Sequence, residues 1–134
     1  MAKPVNIVWL FCMLCITLTG YAQQKFPSAL TVAQDGSGDY KTIQEAVNSV
    51  RDLGKQEVKI LIKKGIYHEK LIIPSWKTNV SLIGEDAGNT VITNSDYSGK
   101  SYPKGKDAYG IDKFSTYTSY TVLVQGNGFT AQNL

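Results

Sequence analysis

Val58 to Pro74 reads VKILIKKGIYHEKLIIP, and how this stretch is interpreted decides the fold. Val58, Ile60 and Ile62 alternate with Lys59, Leu61 and Lys63, Gly65 interrupts, and Leu71, Ile72 and Ile73 begin a second apolar run closed by Pro74. Alternation with period two marks a half-buried strand, and glycine and proline punctuate turns. The stretch reads as strand, turn, strand, with Gly65-Ile66-Tyr67-His68-Glu69 between the runs.

Downstream, short β-branched segments recur at Val80 to Ile83, Val91 to Thr93, Thr121 to Val124 and Phe129 to Ala131, mostly bounded by Gly, Asn, Asp, Pro or Ser. No second amphipathic helix separates them, which excludes a doubly wound sheet with its crossover helices. Upstream, Leu30 to Ala33 is a brief strand candidate, and Asp35-Gly36-Ser37-Gly38-Asp39 is a tight turn. Thr42 to Val50 then places Ile43, Ala46, Val47 and Val50 on one helical face, with Thr42 and Glu45 matching a capping box and Leu53-Gly54 near the end. A helix of about three turns with one apolar stripe lies over something apolar.

Two all-β architectures fit, an antiparallel sandwich and a parallel solenoid. The leading helix and the spacing of the short strands favour a solenoid with a helical cap, because its first coil exposes an apolar end. Between Ser95 and Ser115 the polar sequence SDYSGKSYPKGKDAYGIDKFS has little strand character and reads as a long flank loop. Loops of that length are uncommon unless they have a function, so a substrate-contacting role and a plain surface excursion both fit; Tyr97, Tyr102 and Tyr109 have the chemistry to stack on sugar rings or to pack down on the surface.

Residues 1–22 differ from the rest. Lys3 precedes an apolar run from Ile7 to Leu18, and Gly20-Tyr21-Ala22 offers small residues for cleavage, the pattern of a secretory signal peptide. The run is short of the roughly 20 residues a membrane span needs. Cys12 and Cys15 both fall in the segment to be removed, so thiol chemistry is not expected in the mature chain. The expected location is secreted or periplasmic, free of the membrane after cleavage.

With 14 basic and 11 acidic residues the net charge is +3, and the lysines are scattered, which argues against nucleic-acid binding. Gly36-Ser37-Gly38 lacks the third glycine of a dinucleotide-binding turn, with Lys41 in its place. Asp35, Ser37 and Asp39 do not complete a calcium loop. His68 is the single histidine and reads as a surface residue at a strand end. Asn79-Val80-Ser81 fits the glycosylation pattern but sits in strand context. The residues alone therefore describe a helix-started all-β segment without a complete catalytic constellation.

Taken together, the motifs resemble the pectin methylesterase family. Leu30 through Val47 (LTVAQDGSGDYKTIQEAV) is similar to the opening of these carbohydrate esterases. The similarity continues in register through Ile62 to Lys70, Thr78 to Glu85, Thr90 to Thr93 and Thr121 to Leu134. The resemblance implies an all-β, right-handed parallel β-helix with an N-terminal α-helical cap, here truncated, in which residues 23–134 form the N-terminal part of the catalytic domain. It implies hydrolysis of methyl esters of polygalacturonan to pectate and methanol, with no metal or other cofactor, by a protein that is monomeric at full length. Its partner is methyl-esterified homogalacturonan.

In that family an aspartate nucleophile, a second aspartate as acid and base, glutamines at the oxyanion and an arginine follow the Gly-Phe-x-Ala-x-Asn-Leu segment. This chain stops at Leu134, within that segment, so the catalytic residues are expected beyond it and the fragment is expected to be inactive. The resemblance places one substrate contact inside the chain: Thr116, in Thr116-Tyr117-Thr118-Ser119-Tyr120-Thr121-Val122. Tyr117 replaces the usual Phe and Tyr120 the usual small residue. Rival readings are a non-catalytic polysaccharide-binding β-solenoid and a pectate-lyase-like enzyme, the latter requiring acidic calcium clusters.

Overall fold

A computed structural model describes residues 26–134. Residues 1–25 lie outside the described part, and with them the expected signal peptide. In chain order the elements are β1 (Ala29–Val32), α1 (Ile43–Ser49), β2 (Val58–Ile62), β3 (Gly65–His68), β4 (Leu71–Ile73), β5 (Val80–Gly84), β6 (Thr90–Thr93), β7 (Val122–Val124) and β8 (Thr130–Gln132).

Among the described residues the five pairings between these strands are all parallel. The strands form three sheets, ordered β1-β2-β5-β8, β3-β6 and β4-β7. One strand of each sheet follows the next along the chain, so β2, β3 and β4 make one coil and β5, β6 and β7 the next. The fold is a parallel β-helix, and the antiparallel sandwich is excluded.

The decisive stretch holds three strands where the sequence reading gave two. Gly65 to His68 is a strand of its own sheet, so Val58–Ile62 and Leu71–Ile73 are separated by a third face and Gly65 is not a simple bend between them. Ile66 and His68 point outward and only Tyr67 enters the core, so β3 carries no apolar run that would mark it in the sequence. At Gly65, which opens β3, a Cβ would lie 2.7 Å from Gln34 Oε1. The helix is also shorter than expected: it ends at Ser49, with Val50 already extended at ψ 138°.

Inward side chains stack from coil to coil. Leu30 aligns with Ile60, Ile60 with Leu82 and Leu82 with Ala131, while Tyr67 aligns with Ile92 and Leu71 with Val122. Leu30, Ile60, Leu82, Tyr67, Leu71 and Ile73 are all buried. Burying one such aliphatic side chain contributes roughly 1.5–3 kcal/mol, so these ladders dominate the stability of the coils.

α1 covers the open end of the first coil with Ile43, Ala46 and Val47 buried against it. Both ends of the helix are held by the coil beneath. Glu69 accepts the backbone N–H groups of Ile43 and Gln44, each at 2.9 Å, beside the Thr42–Glu45 capping box. At the other end the buried Lys77 ammonium donates to the carbonyls of Asn48, at 2.8 Å, and Val50, and pairs with Asp52 at 2.8 Å. A negative group at the N-terminus and a positive one at the C-terminus match the helix dipole.

The starting edge of each sheet is also covered. Thr31 on β1 pairs with Tyr40 N and donates to Asp39 Oδ2 at 2.7 Å. The Gln34 amide donates to Ile66 O on β3 at 3.0 Å. Gln44 mimics a strand against β4, accepting from Ile72 N at 2.8 Å and donating to Ile72 O at 3.0 Å. Unpaired edges invite further pairing, and the segment from Gln34 to Gln44 blunts all three. On the opposite side Val122 and Val124, in register with buried Leu71 and Ile73, are each 39% exposed.

Candidate functional site

The segment between β6 and β7 leaves the corner of the second coil and folds back on itself. Phe114 N donates to Lys100 O at 2.8 Å and Gly99 N to Phe114 O at 2.7 Å, Tyr102 N donates to Asp112 O at 2.8 Å, and Ser101 bridges Lys113 in antiparallel fashion. What reads in sequence as a structureless flank loop is thus a hydrogen-bonded arm. Glycine and lysine dilute its strand pattern, and its pairs alternate with turns at Tyr102 to Gly105 and Asp107 to Gly110.

The arm is seated on the coil by a charged and aromatic cluster. Phe114 is buried and its ring lies 4.2 Å from that of Tyr102, tilted by 50°. Lys70, between β3 and β4, places its ammonium 4.2 Å from the centre of Phe114 and 4.7 Å from that of Tyr120. The same ammonium pairs with Asp96 Oδ2 at 3.1 Å and donates to the carbonyl of Thr118. Asp96 Oδ1 is held by Lys100 at 3.0 Å. A hydrogen bond from Asn94, then those from Lys100 and Lys70, lower the Asp96 carboxyl to about 2 against the opposing effect of desolvation. Both its oxygens are engaged, so Asp96 serves as an anchor and not as a nucleophile.

Next to this cluster Ser115 to Thr118 form a tight turn. Ser115 N donates to Thr118 Oγ1 at 2.8 Å, and Thr118 N returns to Ser115 O at 3.1 Å. Thr116 and Tyr117 occupy the outer positions of the turn, with Thr116 exposed and Tyr117 90% exposed. Thr116 therefore stands on a turn ahead of β7, in open solvent, and its backbone carbonyl accepts from Ser119 Oγ at 3.4 Å. Of the three arm tyrosines considered for stacking, Tyr97 and Tyr109 are exposed whereas Tyr102 is packed on Phe114.

The other residues singled out from sequence have structural places. Tyr67 is buried and its hydroxyl donates to Lys63 O at 2.9 Å; burial, with the nearby Glu69 carboxylate, raises its pKa. His68 is exposed on the outer face of β3. Asp35 accepts from Ser37 N at 2.9 Å, an ordinary turn that lowers its pKa. Among the described residues no group of three His, Cys, Asp or Glu comes together as a metal site. Lys70 and Asp96 were not singled out from sequence, because their partners lie 26 and 48 residues away and no local pattern links them.

These features define a helix-capped parallel β-helix with an anchored arm at one corner, presenting a threonine and a tyrosine on an exposed turn. The pectinesterase family model matches residues 29–134, and the chain belongs to that family. It is 39% identical over 105 residues to the probable pectinesterase/pectinesterase inhibitor 58 of Arabidopsis thaliana, covering 78% of this chain and 16% of that protein. It is 42% identical over 104 residues to a pectinesterase of Petunia integrifolia, covering 78% of this chain and 25% of that protein. The pectin methylesterase PemA from Erwinia chrysanthemi superposes with a TM-score of 0.65 at 30% identity, covering 82% of this chain and 30% of that one. A pectin methylesterase in complex with a hexasaccharide superposes with a TM-score of 0.61 at 29% identity, covering 80% of this chain and 29% of that one. The chain thus spans a minor part of the length of each of these relatives.

Proposed function

We propose that this chain is the front part of a pectin methylesterase, in which residues 1–22 direct secretion and residues 23–134 begin the β-helical catalytic domain. The protein as a whole hydrolyses methyl esters of polygalacturonan to pectate and methanol, modifying or degrading cell-wall pectin outside the cell or in the periplasm, and works as a monomer. The observation that carries this reading is the family match across residues 29–134, on a fold shared with pectin methylesterases.

Within that activity the described residues supply the scaffold and one polymer contact. A two-sided cap blunts the front of the solenoid, while the exposed Val122 and Val124 leave the far side ready for further coils. Thr116 faces solvent on its turn, where its hydroxyl is free to meet a sugar hydroxyl or carboxylate of methyl-esterified homogalacturonan. In the proposed enzyme the nucleophile and its partners come from later coils, as the family resemblance implies.

Methanol release from methyl-esterified pectin by the protein encoded by the whole gene tests the activity. Thr116→Ala tests the contact: losing one hydrogen bond to substrate is expected to raise KM about three- to tenfold with kcat nearly unchanged. An unchanged KM would remove Thr116 from the binding surface.

A further inference from the structure

The arm carries the polymer contact, yet its fastening to the coil is narrow. Among the side-chain hydrogen bonds of the described residues, the two donated by Lys70 are those that tie the 95–119 segment to the first coil. We propose that Lys70 is a positioning residue for polymer binding, fixing the Ser115–Thr118 turn so that Thr116 and Tyr117 face the sugar chain. The proposal rests on the reading of Thr116 as a pectin contact.

The geometry suits that role. Lys70 stands at the junction of β3 and β4, where Leu71 N donates to Thr121 O at 2.9 Å and Glu69 N to Thr93 O at 3.0 Å, so its own backbone is clamped on both sides. From that fixed base the ammonium reaches the Thr118 carbonyl, which closes the turn two residues past Thr116. An ammonium has three protons to donate. One goes to Thr118 and one to Asp96, and the charge also rests against the faces of Phe114 and Tyr120. Asp96 comes from the start of the arm and Tyr120 from its end. A single side chain therefore gathers both roots of the arm and the turn between them.

Holding a contact in its binding geometry before the ligand arrives lowers the ordering cost of association. A compact charge gripping a carbonyl and two rings does this for a turn that is otherwise exposed. The ammonium is engaged within the cluster by Asp96, Thr118 and the two rings. Its effect on binding runs through Thr116.

The test is Lys70→Met in the protein encoded by the whole gene, assayed with methyl-esterified oligogalacturonate. The expected result is a KM raised about three- to tenfold with kcat within twofold, and faster amide exchange at Thr116 to Ser119 while Ile60, Ile62 and Leu82 stay protected. The Lys70→Met, Thr116→Ala double variant should bind no worse than the weaker single variant, since both act through one contact. Should Lys70→Met fold poorly, Asp96→Asn provides the same readout with the lysine stem retained, and a normal KM there counts against the proposal. A normal KM for Lys70→Met beside an impaired Thr116→Ala overturns the positioning role and leaves the Thr116 reading standing. A normal KM for Thr116→Ala overturns that reading itself.

Discussion

Glu69 holds Ile43: the carboxylate one residue beyond β3 accepts the first backbone N–H of α1 at 2.9 Å, and its second oxygen takes that of Gln44. A strand-end glutamate thus caps a helix 26 residues earlier in the chain, and this contact joins the cap to the coil it covers. The Gly-x-Tyr-x-Glu sequence gains its meaning here, since Tyr67 ties β3 to the end of β2 while Glu69 ties it to α1.

Glu69→Gln is expected to lower the stability of the folded protein by about 1–2 kcal/mol, because the amide keeps the size but loses the charge that suits a helix N-terminus and turns one acceptor into a donor. Chemical denaturation measures this. Loss of protection should begin in α1, and an unchanged midpoint would show that the capping box alone suffices.

The docking of the arm should resist acid. Asp96 has a folded-state carboxyl at about 2, below its ordinary 3.8, so its stabilising effect is fully present above about pH 4 and is lost only as the pH falls through about 2. Amide exchange at Phe114 followed against pH would show this. Asp96→Asn should remove the transition, whereas loosening already complete at pH 4 would contradict the assignment.

Asn79 should carry no glycan despite its Asn-Val-Ser pattern. Its amide donates to Gly54 O at 2.8 Å, it adopts φ +56°, and a Cβ on Gly128 of the next coil would sit 2.3 Å from its Oδ1. That crowding leaves no room for a sugar. Mass spectrometry of protein secreted from a glycosylating host is expected to find Asn79 unmodified, and an occupied site would mean that this turn is not formed when the transferase acts.

Some of this architecture was legible in the chain. The alternation of Val58, Ile60 and Ile62 and the Thr42–Glu45 capping box are local patterns, and they place β2 and the start of α1 correctly. β3 was hidden because a strand with a single inward residue, Tyr67, leaves no periodic signal. The direction of pairing was not fixed by the residues either, since short β-branched runs suit both parallel and antiparallel neighbours; the family resemblance resolved it. Thr116 came from resemblance alone, and Lys70 with Asp96 needed the fold, which brings distant residues together at one corner.

We propose that these coils form the scaffold and one wall of the binding surface of a pectin methylesterase whose nucleophile lies elsewhere. Its most direct test is methanol release from highly methyl-esterified pectin by the purified 134-residue chain, compared with the protein encoded by the whole gene. Turnover is predicted for the whole protein and none above buffer for the chain alone. Sustained methanol release by the isolated chain, or none by the whole protein, would contradict the account.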